Sequence, residues 1–448
     1  MSEKKGDARR GNPKADGIKM TLSELPSGGV VMTALKIGDP NHRYWHYDEH
    51  GAMVWEAYPE GVTVPDGVTV IGQLSCPMLK SVTLAPSVEE IGDLAFGKEF
   101  FSGDTYEWPA LESVHFSTGL VRIGYRAFCN CHRLDGVRLP KGLKEIDQDA
   151  FRLCLSLSRI TIPESVEHIG QGAFAKCRAL KKVIFRDGAT FLGREAFFGD
   201  VSLKSVLLPA TLESIGYKAF SGCKALESIN IPDSLTALGG GAFEGCEALV
   251  SLSFNNDIET TRYTWEESPF LGCTSLTEIT LGHGVTRADQ LPPAPALKEY
   301  KVAKDHPLFT TVRGVLYSKD KKRLLRVPAG LTGEFTLPRG VTEIGDNALR
   351  GCDKITEVIL PSSLTVIGNG AFTACSALRS VTLPGKVVEV GENAFRDCIS
   401  LGSAYIPASV RSAGDNCFEG CSSLTSLTLS EQNRHLRAEG TKLLPRNS

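Results

Sequence analysis

Thirteen cysteines are the side chains here best suited to chemistry, as thiolate nucleophiles, metal ligands or disulfide halves. Their spacing decides among these roles. Cys131, Cys154 and Cys177 lie 23 residues apart, as do Cys223 and Cys246. Cys273 holds the same place after a short insertion, and Cys352, Cys375, Cys398 and Cys421 resume the series. Asp200 stands where a cysteine is due between Cys177 and Cys223. One cysteine per repeat, in an odd total, reads as a row of buried free thiols. Thiols of adjacent repeats would still fall within the Cα separation that a bridge needs, so sporadic pairing stays open. Cys129-Asn130-Cys131-His132 has superficially metal-like spacing, but Cys131 already belongs to the series and is expected to point inward.

A second candidate is His42, His46 and His50, four apart, with Asp48 and Glu49 between them. On a helix they would share a face and could bind a metal. The stretch from Arg43 to Trp55 reads better as a hairpin turning near Asp48–Gly51, where the imidazoles diverge. The scattered Ser, His and Asp residues form no triad, and no G-x-x-x-x-G-K-[ST] phosphate loop is present. The chain is therefore expected to be non-enzymatic, with no catalytic residue, cofactor or metal. Any chemistry would be confined to residues 19–78 or 283–334, and neither holds a convincing acid–base or nucleophile set.

The elements around the cysteines repeat with them. One clean copy runs from Leu157 to Cys177, LSRITIPESVEHIGQGAFAKC. Arg159-Ile160-Thr161-Ile162 alternates polar and apolar, so it reads as a short strand with one buried face. Pro163 has no N–H to donate and ends the pairing. Gly170 marks a corner and is expected to serve a tight or left-handed turn. Ala173 lets backbones approach while Phe174 fills the core, and Cys177 closes the coil. Stacking like on like should align Phe96, Phe128, Phe151, Phe174, Phe197, Phe220, Phe243, Phe270, Phe372, Phe395 and Phe418 in a ladder, with Leu349 substituting once. A fixed period of this size is the signature of a solenoid, in which each coil is covered by its neighbours.

The block Ile215-Gly216-Tyr217-Lys218-Ala219-Phe220-Ser221-Gly222-Cys223 closely resembles the BspA-like, or bacterial surface-antigen type, leucine-rich-repeat family, over roughly Leu79 to Ser430. The resemblance implies a β-rich solenoid, a right-handed coil stack of 23-residue repeats, interrupted by hairpin-like insertions. It also implies a bacterial, protein-binding chain of adhesin type, displayed at a cell surface and taking host matrix or another cell surface as ligand. Asp147, Arg186 and Asp200 depart from the family's glycine, proline and cysteine. The N-terminal MSEKKGDARRGNPKADGIKM carries cations with no apolar run after them. It does not read as a secretory signal, so as written the chain reads as a cytoplasmic interaction scaffold, with export by another route or an altered start left open beside the cell-surface or secreted location that the resemblance implies.

Along the chain, residues 1–18 read as a disordered basic tail and 19–78 as an N-terminal cap. Repeats are expected over 79–282, with an insertion at 256–267. Residues 283–334 form an insertion bearing one β-hairpin that turns at Ser318–Lys321. Repeats return over 335–430, and 431–448 is a C-terminal tail. A net charge of −3 argues against nucleic acid, which favours a basic stripe. No apolar run approaches 18 residues, so no membrane span is expected, and the chain is expected to be monomeric.

The surface best placed to bind a partner is the sheet of outward strand residues. Many are Ser or Thr. The unexpected ones are Ile184, Leu207, Ile359 and Tyr405. Ile184 beside Leu207, edged by Arg159 and Lys182, would make an apolar patch with a basic border, a plausible contact point. The hairpin tip from Lys319 to Arg323 is a second candidate, for an acidic partner.

Overall fold

The structure is a computed structural model that describes residues 18–24, 30–37, 45–47, 53–55, 61–74, 79–98, 109–260, 268–440 and 442–446. Cys76, His42, His50, the tail expected before Ile18, most of the Gly97–Pro109 turn and residues 261–267 of the first insertion lie outside the described residues. The chain divides into two compact units, Met1–Ile229 and Asn230–Ser448.

In the first unit a typical repeat gives one strand to a parallel face sheet and a second to another parallel sheet. The alternation at Arg159–Ile162 is exposed, buried, exposed, buried, as the sequence pattern requires. This strand pairs in parallel with Lys182–Phe185, which pairs with Ser205–Leu207, which pairs with Ser228–Ile229. Gly61–Thr63, Ser81–Thr83 and Ser113–His115 form an earlier set of the same kind. The repeat between the two sets forms no strand at Asp135–Gly136, where Gly136 takes φ 66°. The second sheet consists of two-residue strands, among them Arg122–Ile123, Glu145–Ile146, His168–Ile169 and Phe191–Leu192. Such strands are too short to show a period, and the sequence suggested only the first sheet. Before them, Ile18–Glu24 and Val30–Ile37 pair antiparallel, and Val30–Ile37 joins Val70–Ile71 in parallel. Trp45–Tyr47 pairs antiparallel with Met53–Trp55, the hairpin expected there.

The core is the predicted ladder. Successive rings from Phe128 to Phe220 are 5.1–5.4 Å apart and within 9° of parallel, close to the spacing of paired strands. The cysteines do more than fill space. Cys154 Sγ donates to the Phe128 carbonyl at 3.3 Å, Cys177 to Phe151 at 3.1 Å and Cys223 to Phe197 at 3.2 Å. A thiol is small enough for the core and still supplies a weak donor to a carbonyl of the preceding coil. Each of the twelve described cysteines is free and buried.

The corner glycine has a different role from the one expected. Gly170 and Gly193 lack positive φ. A Cβ on Gly193 would lie 2.5 Å from the Ile169 carbonyl oxygen, and one on Gly170 2.5 Å from the Asp147 carbonyl carbon. Their smallness allows one coil's backbone to rest on the previous one. The left-handed residues lie elsewhere, immediately before the Ala-Phe pair (Arg126, Asp149, Glu195, Lys218) and before the cysteine (Asn130, Leu153, Lys176).

In the second unit, Ser251–Asn256, Glu278–Gly284 and Glu299–Val302 pair in parallel, so the sheet persists after the sequence period fades at His283. The insertion is a three-stranded meander with two turns, where one hairpin was expected. Phe309–Val312 pairs antiparallel with Val315–Ser318 through a turn at Arg313–Gly314, where both residues have positive φ. Val315–Ser318 then pairs with Arg323–Arg326 around the expected turn. Arg323 and Leu324 lie in parallel register with Glu343 and Ile344. The meander's last strand thus takes the place of a coil's short strand, and the repeats resume from it. At the C-terminal end, within the segment expected as a tail, Leu436–Glu439 pairs antiparallel with Lys442–Pro445.

Candidate protein-binding face

The face strands of the first unit position the candidate residues. Because side chains alternate, Ile160, Val183 and Val206 point into the core, and their neighbours point out. The register is direct: Arg159 lies opposite Lys182 and then Ser205, and Thr161 lies opposite Ile184 and then Leu207. Ile184 and Leu207 are therefore adjacent, as the repeat spacing required. Leu207 is 54% exposed, while Ile184 is half-buried.

One residue of the patch was missed. Arg186 stands where other repeats have a buried proline, such as Pro163 and Pro209. Its N–H donates to the Ile162 carbonyl at 2.9 Å, a rung that proline cannot make. Arg186 directly follows the strand Lys182–Phe185 and is exposed, two residues beyond Ile184. The signal was present in the sequence as a broken consensus.

The ionic surroundings are asymmetric. Among the described residues, Lys182 and Arg186 form no ion pair. Three carboxylates of this repeat and its neighbours have partners of their own. Partial burial pushes the Asp135 carboxyl up, but the N–H of Gly136, Ser158 and the charge of Arg159 outweigh it and hold the group below its usual range. Asp187 accepts from the Ala210 N–H at 2.9 Å, and Glu227 lies 3.6 Å from Lys204.

Ile359 and Tyr405 belong to the second unit, 43% and 40% exposed. Ile359 lies opposite Thr336, and Tyr405 opposite Thr382 and Thr428. The structure does not bring these two side by side. The basic hairpin tip is also partly committed: Lys319 Nζ donates to the His306 carbonyl at 2.7 Å, and Arg323 pairs with Glu343 at 2.9 Å.

Elsewhere, ionisable groups serve the fold. Arg122 reaches Glu90 at 2.6 Å, Asp147 at 2.7 Å, Glu145 at 3.4 Å and Asp93 at 3.5 Å, tying three successive coils together. Cys131 points inward, donating to the Phe96 carbonyl. Burial pushes the Cys129 thiol up to about 11 and Cys273 up to about 12, which disfavours thiolate chemistry at neutral pH. Among the described residues, no three His, Cys, Asp or Glu side chains converge to hold a metal. A cleft of about 400 Å³ beside the insertion is lined by Leu308, Phe309, Leu325, Arg323 and Asp346. Its ionic groups are engaged, Arg323 with Glu343 and Asp346 with the Asn369 N–H. No helix of the described residues is long and apolar enough to cross a membrane.

The model of the BspA type leucine rich repeat region matches residues 99–209, 190–291 and 331–439. Among solved structures, the chain is similar to a leucine-rich repeat protein from Bacteroides ovatus, at 26% identity and TM-score 0.54, over 93% of this chain and 94% of that one. It is also similar to a leucine-rich repeat protein from Eubacterium ventriosum, at 22% identity and TM-score 0.42, over 62% and 68% of the two chains. A leucine rich cell surface protein from Faecalibacterium prausnitzii is 20% identical, with TM-score 0.35, over 92% and 93%. No curated protein matches the chain. The recurring phenylalanine ladder, the thiol-to-carbonyl bonds and a match over most of the length lead to one conclusion: this chain belongs to the BspA-type leucine-rich-repeat family.

Proposed function

We propose that this chain is a non-enzymatic, protein-binding solenoid of adhesin type, and that it docks its partner on the face strands of the first unit. Leucine-rich-repeat solenoids are typically protein-interaction folds, and the repeat architecture exposes one broad sheet for that purpose. The observation that carries the reading is the adjacency of Ile184 and exposed Leu207 within a face whose outward positions are otherwise polar. An apolar centre with a charged border has the anatomy of an interaction site.

The family's frequent display at cell surfaces favours an adhesin. The free, buried thiols equally suit a reducing compartment, and an intracellular scaffold is the second reading. Protease treatment of intact native cells, followed by mass spectrometry, separates the two. Peptides of this chain released while a cytosolic control stays whole support the adhesin. Protection until lysis overturns it in favour of the scaffold.

A further inference from the structure

Polarity distinguishes this patch from the last three face strands of the second unit. In the second unit, the face strands Ser380–Thr382, Ser403–Ile406 and Ser426–Leu429 present Ser380, Thr382, Ser403, Ser426 and Thr428 outward, with Tyr405 the exception. On Arg159–Ile162, Lys182–Phe185 and Ser205–Leu207 the outward residues include Arg159, Lys182, Ile184 and Leu207, and exposed Arg186 follows the second strand, its N–H bonded to the Ile162 carbonyl. No outward position on these three strands is acidic, although the whole chain has a net charge of −3. Lys182 and Arg186 bracket Ile184 at two-residue spacing, about 6.6 Å to either side along an extended chain. Neither has an ion-pair partner among the described residues, and Lys181 adds a third exposed cation.

We propose that this face binds an extended acidic polypeptide segment in which two carboxylate side chains flank an aliphatic one at two-residue spacing. The aliphatic group seats over Ile184 and Leu207, and the carboxylates meet Lys182 and Arg186. An extended segment has the same period of two as the strand below it, so all three contacts form together. The apolar centre favours a polypeptide over a polyanionic glycan, which has no group to cover Leu207. The inference rests on the reading above that this face docks a protein.

The test uses the full chain and fluorescence anisotropy with three synthetic probes. One is a peptide with glutamates two positions either side of a central leucine, one replaces that leucine by alanine, and one is labelled heparin. The leucine peptide should bind, the alanine peptide roughly tenfold more weakly, and high salt should weaken both. Lys182→Glu and Arg186→Glu, both at exposed positions, should each abolish most of the binding while the thermal midpoint stays unchanged. Heparin binding with equal affinity for the two peptides overturns the proposal in favour of a glycan. Absence of peptide binding overturns the partner class. The cross-linking described at the end of the Discussion then decides independently whether the face docks a protein.

Discussion

At the scale of residues, the coil's core is a set of positions that each repeat fills in the same way. Phe174 lies between Phe151 and Phe197, at 5.3 and 5.4 Å, fully buried. Phe174→Ala removes a ring that no side chain can replace, and should cost about 3–5 kcal/mol in denaturant unfolding. Asp200 is the opposite case, an ionisable departure inside the core. It is fully buried; Oδ1 accepts the Cys177 N–H at 2.7 Å while Oδ2 has no partner. Burial pushes its carboxyl well above the usual range. A group with a raised folded-state pKa contributes most below its unfolded value, and that contribution is lost as pH rises through the folded one. Asp200→Cys, which restores the repeat residue, should therefore stabilise the chain at neutral pH by about 1–3 kcal/mol, the usual cost of an unpaired buried acceptor. Thermal melts across pH should show the gain shrinking as pH falls toward about 4.

At the scale of elements, legibility follows from how often a feature repeats and how few residue types satisfy it. The phenylalanine and cysteine positions were readable because nearly every repeat fills them with the same large ring or small donor, Leu349 and Asp200 excepted. The left-handed positions were not, because Arg126, Asp149, Glu195 and Lys218 share a backbone angle and no chemistry. The corner glycine was found but misread, since a close approach and a left-handed turn select the same residue. Arg186 registered as a broken consensus, although it stands two residues beyond Ile184. The insertion's two turns were only half seen, and one of its buried contacts comes from a residue the sequence did not single out. His306 is fully buried; its Nε2 faces the Gly282 carbonyl at 3.1 Å, and Nδ1 accepts the Leu308 and Phe309 N–H groups at 3.2 and 3.1 Å. Burial holds its pKa below the usual value, aided by the charges of His283 and Lys319 and only partly opposed by the bond to Gly282. The unfolded chain takes up that proton first, so the stability from neutral His306 is present above about pH 6.5 and declines below it. Histidine-selective NMR should find the His306 ring titrating below free imidazole, with the Leu308 and Phe309 amide signals shifting as it does. Titration at the free value, with those amides unmoved, would falsify the assignment.

At the scale of the whole molecule, the two units share one repeat chemistry and differ in what their faces show. Stability in a stack is a sum of coil and interface terms, so outward positions are free to vary. The first unit uses that freedom to place Ile184 and Leu207 among cations, and the second shows mostly hydroxyls. The fold was legible in the sequence because a fixed period specifies a solenoid, and the family because the block from Ile215 to Cys223 resembles its repeat. The partner was not, because the outward positions that would meet it vary from repeat to repeat and leave no period to read. The most direct measurement places a photo-cross-linking amino acid at position 207 and, separately, at position 191. Phe191 is 42% exposed on the other sheet of the same unit. In native cells the account predicts one defined protein adduct from position 207, abolished by Ile184→Asp with the thermal midpoint unchanged, and none from position 191. An adduct from position 191 alone, or one from 207 that survives Ile184→Asp, would contradict it.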